Sequence, residues 1–152
     1  MREDSQSEPG SEVGAMSGSR TVELDLSQQE AVQAVTTALA QQGFGVLTSI
    51  DVRATLHAKL GVDVEDYVIL GACNPPLAHR ALSADPEIGL LLPCNVTVRQ
   101  AGGHTLVQAV DPALLLSLTS SRGTDVSPEL AAVARDASTR LSAALHTLIP
   151  AP

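Results

Sequence analysis

Apolar and polar positions alternate over residues 20–26, where Val22, Leu24 and Leu26 face one way and charged or polar residues the other. A period of two is that of a half-buried strand. Next, Ser27 with Glu30 three residues on has the spacing of a capping box. Val32, Val35 and Leu39 then fall on one helical face, and Gly43 offers the left-handed stop. The pattern returns to a strand over "GVLTSID", and Asp51 caps a short helix carrying Leu56 and Leu60 that ends at Gly61. "YVILGAC" (67–73) is apolar without interruption, as in a central strand covered on both faces.

Asn74-Pro75 opens a helix reaching about Ser83, closed by Asp85-Pro86. The run 89–100 is a short apolar segment leading into a strand with Val96 and Val98 on one face. "AGGH" predicts a hairpin turn into an antiparallel strand over 105–111. Asp111-Pro112 starts another short helix. After a Ser/Gly/Thr loop, Ser127-Pro128-Glu129 starts the last one, whose stripe is Leu130, Ala134, Ala137, Leu141, Leu145 and Leu148. The predicted order is β-α-β-α-β-α-β-β-α-α. It implies an α+β domain with a mixed β-sheet and helices packed mainly on one face.

The polar, acidic stretch 1–19 is expected to be a disordered tail, leaving a single domain over 20–150. Met16 offers a second plausible start. The chain has 152 residues, 44% of them apolar but only 1% aromatic, so Leu, Val, Ile and Ala must build the core around Phe44 and Tyr67. A net charge of −8, with eight Arg and one Lys scattered along the chain, gives no footprint for phosphate contacts. Aromatic platforms for bases are missing too. No nucleic-acid partner is expected. No apolar run approaches the ~20 residues of a membrane span, and the acidic start is unlike a secretory signal. A cytoplasmic protein with no membrane partner is expected, its two cysteines free thiols.

Candidate chemistry centres on "LGACNPPLAHRAL" (70–82). With Asn74 as the cap and Pro75 as the first helical residue, Cys73 stands beside a helix N-terminus, a setting that favours thiolates in general. His79 follows in the second turn. Cys94, in "PCN", repeats the local pattern of "ACNP": a thiol at a strand end followed by Asn. If the two strands are neighbours, Cys73, Cys94 and His79 together suit a soft metal such as copper(I) or zinc, and the two thiols a reversible disulfide. Against this, a buried Cys packs well as a small hydrophobe and Asn-Pro-Pro is an ordinary helix start. Both readings stay open at this level. The candidate binding residues are Cys73, Asn74, His79 and Cys94; the candidate metal ligands are Cys73, Cys94 and His79.

His57, His104 and His146 are expected on the surface, with His104 in the hairpin turn. Asp63, Glu65 and Asp66 read as a solvated acidic loop. No nucleophile-elbow, Walker or dinucleotide glycine pattern is present, so the sequence assigns no catalytic residue and leaves enzymatic activity undecided.

Taken together, "GFGVLTSIDVRATLHAKLGVD", "YVILGACNPPLAHRAL" and "EIGLLLPCNVTVRQ…DP" resemble the bacterial and archaeal domain-of-unknown-function 302 family over about residues 22–148. Cys73, Asn74, Pro75, His79, Pro93 and Cys94 resemble its cysteine-containing branch; other branches lack the thiols. The resemblance implies a compact α+β domain that forms homodimers, and it implies no reaction or cofactor. Three functions remain in play. The first is a dimeric binding module with a small-ligand or metal pocket near the N-terminus of the 74–83 helix. The second is a thiol-based redox or sulfur-handling protein using Cys73, with Cys94 as resolving partner. The third is a structural or regulatory interaction domain without a small-molecule site.

Overall fold

The computed structural model describes residues 19–120 and 126–149. Five strands, β1 (Ser19–Leu24), β2 (Gly45–Asp51), β3 (Tyr67–Cys73), β4 (Cys94–Ala101) and β5 (His104–Val110), are interspersed with five helices. The helices are α1 (Gln28–Gln41), α2 (Val52–Leu60), α3 (Pro75–Ala84), α4 (Pro112–Ser120) and α5 (Pro128–His146). The α+β class and the order of elements are those expected. A 3₁₀ helix over Pro86–Leu91 is added where the sequence suggested only a short apolar segment; Asp85 caps it by accepting from the Glu87 N–H. The expected tail, apart from Ser19, and the loop before α5 lie outside the described residues, as does Met16.

The sheet order is β1-β5-β4-β3-β2. All four pairings are antiparallel, so the sheet is not mixed. The helix between β1 and β2 does make a crossover, but it carries the chain from one sheet edge to the other. The two like-directed strands therefore never pair. Helix α1 crosses β4 and β5 on the way. Its 14 residues extend about 21 Å, and four strand spacings are about 19 Å, so one helix is long enough for the traverse.

Local signals act as their chemistry requires. The Ser27 hydroxyl accepts from the Glu30 N–H at 3.2 Å. At the other end of α1, Gly43 N–H donates to Ala40 and Phe44 N–H to Leu39, a Schellman closure with Gly43 at φ +82°. Gly102 and Gly103, both at positive φ, form the two-residue β4–β5 turn that right-handed strand twist favours. His104 is the first residue of β5 rather than part of the turn. It stands exposed between Glu23 and Asp25, at 3.2 and 3.1 Å.

Helices α1 and α5 cover one face of the sheet. There Val22, Leu24, Leu70, Ala72, Val96, Val98, Val107 and Ala109 meet Val35, Leu39, Leu141 and Leu145. The opposite face carries polar cross-strand links, Arg99 to Gln108 and Gln108 to Thr21. A second cluster lies beyond the sheet's end, where Leu77 and Ala81 of α3 and Leu116 of α4 pack on Leu130, Val133, Ala134 and Ala137 of α5. Helix α5 thus divides its length between two cores: its first half packs on helices, its second on the sheet. The continuous run of β3 does not mark the middle strand, which is β4. Its first three residues are only half-buried because β2, beyond it, is an edge strand with no buried residue.

Candidate functional site

The N-terminus of α3 is built by Asn74, which is 7% exposed. Its Oδ1 accepts from the Leu77 N–H at 3.3 Å, and its Nδ2 donates to the Gln42 carbonyl at 3.4 Å. One side chain therefore caps α3 and ties it to the end of α1. A Cβ at Gly43 would come within 3.0 Å of that Nδ2, so the left-handed turn and the cap fit each other.

This cap changes the electrostatics expected there. An α-helix normally leaves four N–H groups free at its start. In α3 these are the groups of Asn74 to Leu77: Pro75 and Pro76 have none, and the Leu77 N–H serves Asn74 Oδ1. Of the backbone donors at the helix start, only the Asn74 N–H is left to an anion.

Ala72 of β3 is the direct partner of Cys94 on β4. Cys73 is one residue further along, at the last position of β3. Both cysteines are free thiols. No disulfide joins the two in this structure. Burial pushes the Cys94 thiol up to about 11, and Cys73 acts in the same direction. Cys94 is a neutral, half-buried thiol at physiological pH.

The third expected ligand is elsewhere. Leu77 and Ala81 turn α3's apolar side to the second core, and His79, two positions from each, points to the exposed side. No group of three His, Cys, Asp or Glu that could hold a metal ion occurs among the described residues. The structure thus brings Cys73 and Cys94 to one place and sets His79 on the exposed side of α3. His57 pairs with Asp63 at 3.1 Å on the surface. His146 is exposed in the last turn of α5.

What the thiols do border is an apolar cavity of about 80 Å³ at the seam between the two cores. Phe44, Ala72, Cys73, Asn74 and Cys94 line it from the sheet's end. Leu77, Ala78 and Ala81 contribute from α3, and Ile88, Leu91 and Leu92 from the segment that follows. Leu115 and Leu116 of α4 and Leu130, Val133, Ala134 and Ala137 of α5 close it. The sequence pointed to the end of β3 and missed the rest of the wall. A signal was present: Ala134 and Ala137 on the stripe of α5 are small where a domain with more aromatics would fill space. With a single Phe in the chain, the seam between sheet and helices is lined by alanines instead.

A family model described as "Domain of unknown function DUF302" matches residues 20–148. This chain belongs to the DUF302 family. A similar solved structure is the crystal structure of an uncharacterized conserved DUF302 protein from Bacillus stearothermophilus, 31% identical. The similarity spans 88% of this chain and 100% of that one, with a TM-score of 0.78. No curated protein matches. Membership in the DUF302 family accords with the α+β architecture, and no helix among the described residues is long and apolar enough to cross a membrane.

Proposed function

We propose that this DUF302 domain is a dimeric binding module whose small-molecule pocket is the cavity at the α3 end of the sheet. The observation that carries this reading is the cavity itself. It is a partly open pocket with almost wholly apolar walls, surface that an apolar ligand would take out of water. Its volume exceeds by several-fold what one water needs, and its walls offer few of the polar partners that would hold ordered water. It also draws on separate segments from both cores, as ligand sites between packed elements do.

The dimer rests on the family resemblance and on where apolar side chains remain uncovered. Leu47 and Ile50 on β2, Leu60 on α2, and Val62 and Val64 in the connection to β3 are all exposed. Edge strands are natural pairing surfaces, and β2 has no strand beyond it among the described residues. A redox role has less to support it, because burial holds the Cys94 thiol protonated and no disulfide joins it to Cys73.

The test is occupancy. Xenon is neutral and small, and ¹²⁹Xe exchange measured by NMR reports apolar cavities. The wild-type protein should take it up saturably. Ala137→Leu, which adds three carbons to the wall, should fold with an equal or higher Tm and lose the uptake. Equal uptake by both proteins, or none by either, would sink the pocket reading. Light scattering after size exclusion tests the dimer, which Leu60→Asp should dissociate.

A further inference from the structure

We infer that the cavity selects small, neutral, apolar molecules and rejects anions. This inference rests on reading the cavity as a ligand site, and it adds the chemical class of what enters.

The selectivity follows from how the polar groups at the cavity are already used. Among the described residues, no Lys, Arg or His lines it. Of its three residues with polar side-chain atoms, Asn74 spends its oxygen on the Leu77 N–H and its nitrogen on the Gln42 carbonyl. Cys94 is a neutral thiol, and Cys73 carries the same weakly polar group. The nearby helix start, the usual anion receptor in such places, has two prolines and its Leu77 N–H committed to Asn74. An anion would therefore meet no counter-charge and at most the uncommitted N–H groups of Asn74, which makes its transfer from water costly. An aliphatic or aromatic body would instead meet Leu77, Ile88, Leu92, Leu116, Leu130 and Val133. The Asn-Pro-Pro start, which resembles an anion site in sequence, works against one in the folded protein.

A matched pair of probes tests this. 3-Methylbutan-1-ol and 3-methylbutanoate have nearly the same carbon skeleton and differ in charge at neutral pH. Titrations followed by ¹³C-methyl NMR of the leucine and valine resonances should give saturable shifts with the alcohol. Its Kd should lie on the order of millimolar, as burial of five carbons allows. The carboxylate should bind at least tenfold more weakly at pH 7 and approach the alcohol as lower pH neutralises it. Toluene should bind, inorganic phosphate should not, and Ala137→Leu should abolish the shifts. Carboxylate or phosphate binding as tight as the alcohol's at pH 7 would overturn the selectivity while leaving the pocket in place. If no probe shifts the cavity methyls and Ala137→Leu alters nothing, the pocket reading itself fails.

Discussion

Aspartate is as good a helix cap as asparagine on exposed helices, yet Asn74→Asp should destabilise this protein. The introduced carboxylate keeps the acceptor for the Leu77 N–H. It loses the Nδ2 that donates to the Gln42 carbonyl at 3.4 Å and turns an oxygen toward that carbonyl instead. The site is 7% exposed, so the new charge is removed from water with one donor in place of two or three. Replacing a satisfied buried amide in this way costs about 2–3 kcal/mol at pH 7. Asn74→Ala should cost about 1.5–2.5 kcal/mol: about 1 for the cap and the rest for the orphaned Gln42 carbonyl and lost packing. The two variants differ in pH dependence. A carboxyl disfavoured in its charged form has a folded-state pKa above the unfolded one. The folded state then binds the extra proton, and stability falls as pH rises through that window. Once protonated, the introduced carboxyl can donate to the Gln42 carbonyl and resemble the wild-type amide. Urea denaturation followed by far-UV circular dichroism at pH 4 and pH 7 measures this. The deficit of Asn74→Asp relative to wild type should shrink at pH 4, and that of Asn74→Ala should stay constant. Wild-type stability for Asn74→Asp at pH 7 would refute the double role assigned to Asn74.

Cys94, held up at about 11 against an ordinary 9.0, should contribute about 2–3 kcal/mol that is fully present below pH 9 and lost as pH rises toward 11. The difference in stability between wild type and Cys94→Ala should therefore change across that range, and a flat difference would contradict it. Alkylation at pH 8 should label Cys94 far more slowly in the native than in the unfolded protein. At Gly71 a Cβ would overlap Thr48 Oγ1 and lie 2.9 Å from Pro93 Cγ, so Gly71→Ala should cost about 1–3 kcal/mol. Thr48→Ala should recover part of that cost in the double variant, and strict additivity of the two changes would show that the clash is not the cause.

The helices and strands were legible because their signals are local. Ser27, Asp51, Asn74 and Ser127 cap helices as their spacing predicts. Gly43, Gly61 and Gly102-Gly103 stop or turn the chain at positive φ. The 3₁₀ turn at 86–91 escaped because "GLLLP" carries no period that separates it from a strand start. The candidate site was half legible. Cys73, Asn74 and Cys94 do come to one end of the sheet, through the direct pairing of Ala72 with Cys94. His79 does not, since helical rotation relative to the core decides its direction and sequence spacing alone does not.

The sequence by itself determined which segments become helices and strands, where they stop, and that a core poor in aromatics must be assembled from aliphatic residues. Those choices depend on neighbours within a few positions. Tertiary structure decided the strand order, with β1 and β2 at opposite edges, and hence that every pairing is antiparallel. It also decided that the Asn74 side chain at the start of α3 is tied to the end of α1, and that an apolar cavity lies beside it. Both depend on groups far apart in the chain: the Gln42 carbonyl that takes the Asn74 amide, and the alanines of α5 that leave the seam unfilled.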